Sequence, residues 1–244
     1  MKKSVEVLAD KVSLVERARE IVVDKIQNAI ASRGQCSIAL AGGSTPKPLY
    51  EALAQENLPW DKIQVFWGDE RYVAPTHQDS NQRMARQAWL DKIEIPEANI
   101  HPVPTESQNP AIDAANYEEV MRTIFAVDAP TFPSFDIILL GMGDDGHTAS
   151  LFPQTLVLNE FEKAISVGNK DGQPRITFTV PLLNQASCVL FLVAGKNKQT
   201  ALEQVFAAQG DAMTYPSRLI DPQGELLWLL DLDAGAKIDT TISC

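Results

Sequence analysis

Short runs that are apolar at their centres recur along this 244-residue chain, and segments with helical spacing of apolar residues stand between them. CSIALAGG (36–43), QVFWGDE (64–70), SFDIILLGMGDDGH (134–147), RITFTV (175–180), CVLFLVAG (188–195) and LLWLLD (226–231) read as buried strands. Val12, Val15, Ala18, Val22, Ile26, Ala29 and Ile30 share one helical face over 11–31, a helix that opens the chain and ends at Gly34. Ser44 or Thr45 is expected to cap a helix with Pro46 in its first turn, and Ser80 to cap another over 80–93. Further helices are expected over 111–126 and 196–209, with a proline-rich connector at 94–110 around an HPV segment. Apolar strands alternating with amphipathic helices predict an α/β fold, a mostly parallel sheet with helices on both faces. No internal repeat or long linker interrupts the pattern, so one domain over 1–244 is expected, with room for a small subdomain around 94–130.

Charge narrows the choice of partner. A formal net charge of −11 repels nucleic acid and anionic membranes, so neither is an expected partner. No apolar run approaches the ~20 residues that cross a bilayer. The start, MKKSVEVLAD, turns acidic before any apolar stretch forms and is not a secretory signal, so a cytoplasmic address is expected. Cys36, Cys188 and Cys244 lack CxxC spacing and read as two small core residues and a free C-terminal thiol, suited to a reducing compartment. His77, His101 and His147 form no HxxxH or HxH pair, so no metal site is expected. An anionic substrate, by contrast, needs local inversion of the field by a few cations and oriented N–H groups.

In open α/β sheets ligands bind beyond the carboxyl ends of the strands. Three segments put unusual residues there. In AGGSTP (41–46), Gly42 and Gly43 permit close backbone approach, while Ser44 and Thr45 offer hydroxyls at a helix start, a setting that suits a phosphate. An ordinary capped turn satisfies the same residues equally well. GDER (68–71) leaves Asp69, Glu70 and Arg71 at a strand end, where a surface salt bridge is the commoner outcome and anion stabilisation by Arg71 the functional one. GMGDDGHTASLFP (141–153) is the sharpest signal. Its glycines at 141, 143 and 146 would admit a ligand close to the backbone. His147 is a residue type that titrates near neutral pH and accepts protons, and Asp145 can fix its tautomer. Arg175, Lys196 and Lys198 follow loops on the same edge, although most such cations are merely solvated. His77 and His101 receive no role.

LAGGSTPKPLYEAL, VFWGDERYVAPTHQDSNQRMA, DIILLGMGDDGHTASLFP and VAGKNKQTAL, taken together in this order, resemble the 6-phosphogluconolactonase family. The resemblance covers most of the chain. It implies a Rossmann-like α/β sheet and hydrolysis of 6-phospho-D-glucono-1,5-lactone in the oxidative pentose phosphate pathway, with no metal or organic cofactor. His147 is similar to the family's general base, Arg71 to its active-site arginine, and Asp69 and Asp145 to its acidic residues near the sugar. Gly43, Ser44 and Thr45 match the turn beside the substrate. Arg175 and Lys198 fall where cationic phosphate ligands are expected.

Two other functions use related folds. A glucosamine-6-phosphate deaminase or sugar-phosphate isomerase needs extra acid–base groups, and the deaminase segment resembles GHIAFNEP. Here GHTASLFP places Phe152 at the glutamate's position, and GDER places Arg71 where the deaminase DEY has tyrosine. A non-catalytic sugar-phosphate-binding regulator would carry a helix-turn-helix segment. A core helix starting by about residue 11 and the lack of a basic face argue against one.

Overall fold

The computed structural model describes residues 2–238. Their strands and helices run β1 (Lys2–Leu8), α1 (Lys11–Arg33), β2 (Cys36–Leu40), α2 (Lys47–Leu53), β3 (Ile63–Trp67), β4 (Asp69–Arg71), α3 (Asn81–Ala88), α4 (Pro110–Phe125), β5 (Ile137–Leu140), β6 (Ile165–Lys170), β7 (Gln173–Phe178), α5 (Val180–Asn184), β8 (Cys188–Val193), α6 (Gln199–Phe206), β9 (Glu225–Asp231) and α7 (Leu232–Gly235). The main sheet has the order β1-β9-β8-β5-β2-β3 and every pairing in it is parallel. β2, β5 and β8 are buried at every position, which requires cover on both faces and explains their continuous apolar sequences. No helix among the described residues is long and apolar enough to cross a membrane.

The chain order opens a crevice at the sheet edge. From β2 the chain moves outward to β3, then returns to the other side of β2 as β5 and continues through β8 to β9. Loops leaving β2 and β5 therefore diverge, and a cleft opens beyond Leu40 and Leu140.

Local sequence explains the helix ends better than the strand count. Asp10 caps α1 by accepting the Ser13 N–H at 2.8 Å, and Gly34 closes the helix at φ 80°. Its buried stripe is Leu14, Ala18, Val22, Ile26 and Ala29, whereas Val12 is 78% exposed. The helix does not open the fold, because β1 precedes it. KKSVEVL carries the weaker alternating pattern of an edge strand, paired on one side only with β9.

QVFWGDE is not one strand: it breaks at Gly68, whose N–H donates to Leu40 O at 3.0 Å while its carbonyl accepts the Phe178 N–H at 2.8 Å. Gly68 thus ties the main sheet to a second one, antiparallel, with the order β4-β7-β6 and α4 packed against it. RITFTV belongs to this second sheet as its central strand β7, and its hairpin partner β6, ISVGNK, has no continuous buried apolar run to mark it in the sequence. Their turn is Asp171–Gly172, both at positive φ (52° and 84°), the two-residue geometry that a right-twisted hairpin favours. The helix expected over 80–93 stops at Ala88, where the Trp89 indole is buried against Tyr50 and Trp60 and only a single 3-10 turn follows. Over 196–209, a 3-10 turn at Lys196–Lys198 leads into the shorter α6. Neither Ser44 nor Thr45 caps α2; Pro46 occupies that position with no side-chain bond.

Candidate active site

A cleft of about 370 Å³ lies beyond the carboxyl ends of β2 and β5. Its walls are the 41–46 turn, Asp69, Arg71 and Asn81, the loop from Gly141 to Asp144, and His147, Ala149, Lys170, Ala194 and Lys198. Segments separated by more than a hundred residues in the chain meet here because the sheet brings their strand ends together.

The 41–46 turn is held from below. Tyr50 Oη donates to Ala41 O at 2.7 Å and accepts the Ala41 N–H at 3.0 Å. Gly43 has φ 96°, a conformation a side chain would strain. A Cβ on Gly42 would overlap the Asn81 side chain, so the glycine there serves the approach of Asn81 rather than of a ligand. The Ser44 and Thr45 hydroxyls make no hydrogen bond among the described residues and line the cleft.

β4 sorts its residues by strand alternation. Asp69 and Arg71 face the cleft, and Glu70 points the other way. Glu70 is 2% exposed and its carboxylate accepts N–H groups from Arg71 (2.7 Å), Asn81 (2.8 Å) and Gln82 (2.8 Å) and the Ser80 hydroxyl (3.1 Å). It thereby caps the start of α3. Burial still pushes its carboxyl above the ordinary range, against these donors. Asp69 is anchored by Ser150 Oγ, which donates to Oδ2 at 2.7 Å, and Asn81 Nδ2 donates to Asp69 O at 2.9 Å. Arg71 Nη1 donates to Asp79 O at 2.6 Å. Arg175 is not among the lining residues; it stands directly opposite Arg71 on β7.

The loop after β5 shapes the histidine. Gly143 N–H donates to His147 O at 2.8 Å and Gly146 N–H to Gly143 O at 3.2 Å, closing a tight turn. Asp145 Oδ1 lies 2.6 Å from His147 Nδ1 and accepts the His147 backbone N–H at 3.0 Å. Partial burial alone would raise the Asp145 carboxyl, but the two hydrogen bonds from His147 outweigh it and hold it at about 2. An ionised Asp145 accepts a hydrogen bond from Nδ1–H, and in the neutral ring that leaves Nε2 as the unprotonated acceptor. The ring packs against Phe152 at 4.6 Å between centroids.

The glycines of this loop do not serve a ligand as the sequence suggested. A Cβ on Gly143 would overlap His147 Nδ1 and Asp145 Oδ1, and one on Gly146 would meet Tyr215 at 2.8 Å. They make room for the Asp145–His147 pair and for Tyr215. Only Gly141 has nothing within 4 Å of such a Cβ.

Of the two lysines after β8, Lys198 lines the cleft and Lys196 does not. Residue-type reasoning missed Asn81, Ser150 and Lys170. Lys170 had a usable signal, the Asp171–Gly172 turn that follows it; Asn81 and Ser150 matter only through contacts distant in sequence. His77 sits beside Asp79 on the surface, and His101 Nε2 is 2.7 Å from Gln64 Oε1, neither lining the cleft. Cys36 and Cys188 are buried free thiols, while Cys244 lies outside the described residues.

The same arrangement of segments occurs in known proteins. Residues 9–228 match the family model described as glucosamine-6-phosphate isomerases/6-phosphogluconolactonase. A 6-phosphogluconolactonase of Synechocystis sp. is 60% identical over 238 residues, covering 98% of this chain and 99% of that protein. One from Nostoc sp. is 59% identical with the same coverage. The solved 6-phosphogluconolactonase of Trypanosoma cruzi superposes with a TM-score of 0.87 at 31% identity, covering 97% of each chain. Matched along nearly its whole length, this protein belongs to the glucosamine-6-phosphate isomerase/6-phosphogluconolactonase family.

Proposed function

We propose that this chain hydrolyses 6-phospho-D-glucono-1,5-lactone to 6-phospho-D-gluconate, with His147 as general base. The observation that carries the reading is an imidazole fixed through Nδ1 by Asp145, with Nε2 unbonded among the described residues, beside a cation-bearing cleft at the reversal of the sheet. The lactonase names of its full-length relatives support the substrate.

A δ-lactone is an activated ester, so attack by water needs no covalent enzyme nucleophile. His147 Nε2 takes a proton from water as its oxygen bonds to C1. Negative charge moves onto the carbonyl oxygen, where Arg71 or a loop N–H stabilises it. Collapse breaks the bond from C1 to the ring oxygen, which receives the proton from His147 and becomes the C5 hydroxyl. The carboxylic acid then loses its proton to solvent. Ser44, Thr45 and Lys198 hold the phosphate from the cleft wall, Arg175 reaches it from outside that wall beside Arg71, and the fixed distance to the histidine keeps C1 over Nε2. Asp69, with one carboxylate oxygen engaged by Ser150, orients sugar hydroxyls through the other.

Deaminase or isomerase chemistry is less well served. Phe152, which packs on the imidazole, offers no proton-transfer group there. Turnover of freshly prepared lactone above a no-enzyme control tests the proposal, with ammonia release from glucosamine 6-phosphate measured alongside. Ammonia release without lactone hydrolysis would reverse the assignment.

A further inference from the structure

Lys170 is a cleft residue that the reaction as described above leaves unused. It is the last residue of β6, paired with Gln173 across the Asp171–Gly172 turn, so a short hairpin carries it into the cleft wall. The chain has 32 acidic and 21 basic residues, yet Lys170 forms no ion pair among the described residues. Its ammonium instead lies 5.5 Å from the centroid of Phe152, and the same ring packs on His147 at 4.6 Å. One aromatic ring thus separates the lysine from the base, which puts this cation at the reacting end of the substrate.

Given lactone hydrolysis, the geometry points to Lys170 as the group that binds the carboxylate formed at C1. The inference rests on the proposed function and adds a residue to it. The reaction turns a neutral carbonyl into an anion at one end of the ligand, while the phosphate at the other end keeps its charge. A cation at the reacting end therefore distinguishes product from substrate, whereas cations on the phosphate bind both alike. Stacking over Phe152 holds the ammonium near the face of a ring without neutralising it. Its place at a hairpin tip, on a long unbranched side chain, lets it follow the carboxylate as C1 leaves the position of attack. The cost is slower product release, so Lys170 sets the sensitivity of the enzyme to its own product.

The test compares two ligands of equal length, 6-phosphogluconate and glucitol 6-phosphate, which bears a neutral hydroxymethyl group in place of the carboxylate. Both are titrated calorimetrically into wild type, Lys170→Met and Lys170→Arg. Loss of one charge-assisted contact should weaken 6-phosphogluconate about tenfold or more in Lys170→Met. Glucitol 6-phosphate should change less than about twofold, and Lys170→Arg should keep most of the difference. Equal weakening of both ligands would place the lysine on the phosphate and overturn the inference, as would no change in either. Wild-type protein that binds neither ligand would overturn the lactonase reading with it.

Discussion

Arg71 on β4 and Arg175 on β7 are direct partners in the antiparallel ladder, so their two guanidinium groups leave the same face of the second sheet side by side. Such a like-charge pair is unfavourable unless an anion joins it. Burial, and then the charge of Arg71, lowers the Arg175 guanidinium from its ordinary value, and Arg175 Nε is buried with no hydrogen-bond partner among the described residues. The Asp69, Glu70 and Asp79 carboxylates offset part of this repulsion, and a phosphate bound beside Arg175 would offset more.

An anion should therefore stabilise the fold. Saturating inorganic phosphate is expected to raise the Tm of wild type and to raise that of Arg175→Ala less. In Arg175→Ala and Lys198→Ala, KM should rise about tenfold with kcat nearly unchanged, because the contact is to a non-reacting group. Unchanged KM in both variants would remove these residues from the phosphate site.

His147→Ala should lower kcat about 10²- to 10⁴-fold with little effect on KM. Asp145→Asn should lower kcat about 10²-fold, since an amide turned toward Nδ1 can donate there and leave Nε2 protonated. Steady-state kinetics of either variant at near wild-type kcat would exclude the assigned base pair.

The same pair predicts an acid dependence. The folded-state value of Asp145, about 2, lies below its ordinary 3.8. Its pairing stabilises the fold above pH 3.8 and that contribution disappears as pH falls toward 2. In urea unfolding followed across pH, the stability gap between wild type and Asp145→Asn should narrow below 3.8. A gap that stays constant there contradicts the pairing.

Gly143→Ala places a methyl group where His147 Nδ1 and Asp145 Oδ1 lie. The backbone at 143 is not left-handed, so the fold should survive while the imidazole is displaced. Misplacement on the scale of 1 Å can cost about 10²-fold in kcat. A folded Gly143→Ala protein with wild-type turnover would show that the base tolerates movement.

Glu70→Gln probes the wall of the site rather than its chemistry. The amide nitrogen cannot accept the N–H groups that the carboxylate now receives, so a loss of about 1–3 kcal/mol is expected in denaturant unfolding. The sign of its pH effect is opposite to that of Asp145. Because burial raises the Glu70 carboxyl, the folded chain holds the proton more tightly, and stability falls as pH rises from 4.5 through the folded value. Glu70→Gln should lack that segment of the pH profile.

Legibility in the sequence followed the range of each interaction. The stop of α1 at Gly34, the start of α3 at Ser80 and the buried runs of β2, β5 and β8 rest on neighbours within a few residues, and each was readable. The division of QVFWGDE at Gly68 was not, because it depends on hydrogen bonds to Leu40 and Phe178, far away in the chain. Gly143 was visible as a glycine, but its purpose, clearance for an imidazole four residues on, was not. Lys170 sat beside a plain hairpin signal, yet only the fold brings that hairpin over the cleft.

Local patterns in the chain were enough for a mostly parallel α/β sheet and for the residue types proposed to bind phosphate and move a proton, since apolar periodicity, turn glycines and side-chain chemistry are properties of short segments. The tertiary structure decided which of those residues meet: that Asp69 and Arg71 turn inward while Glu70 caps a helix, that Arg175 stands beside Arg71, and that Lys170 joins the site. Strand pairing and side-chain facing are settled by contacts between distant segments, and no local pattern carries that information.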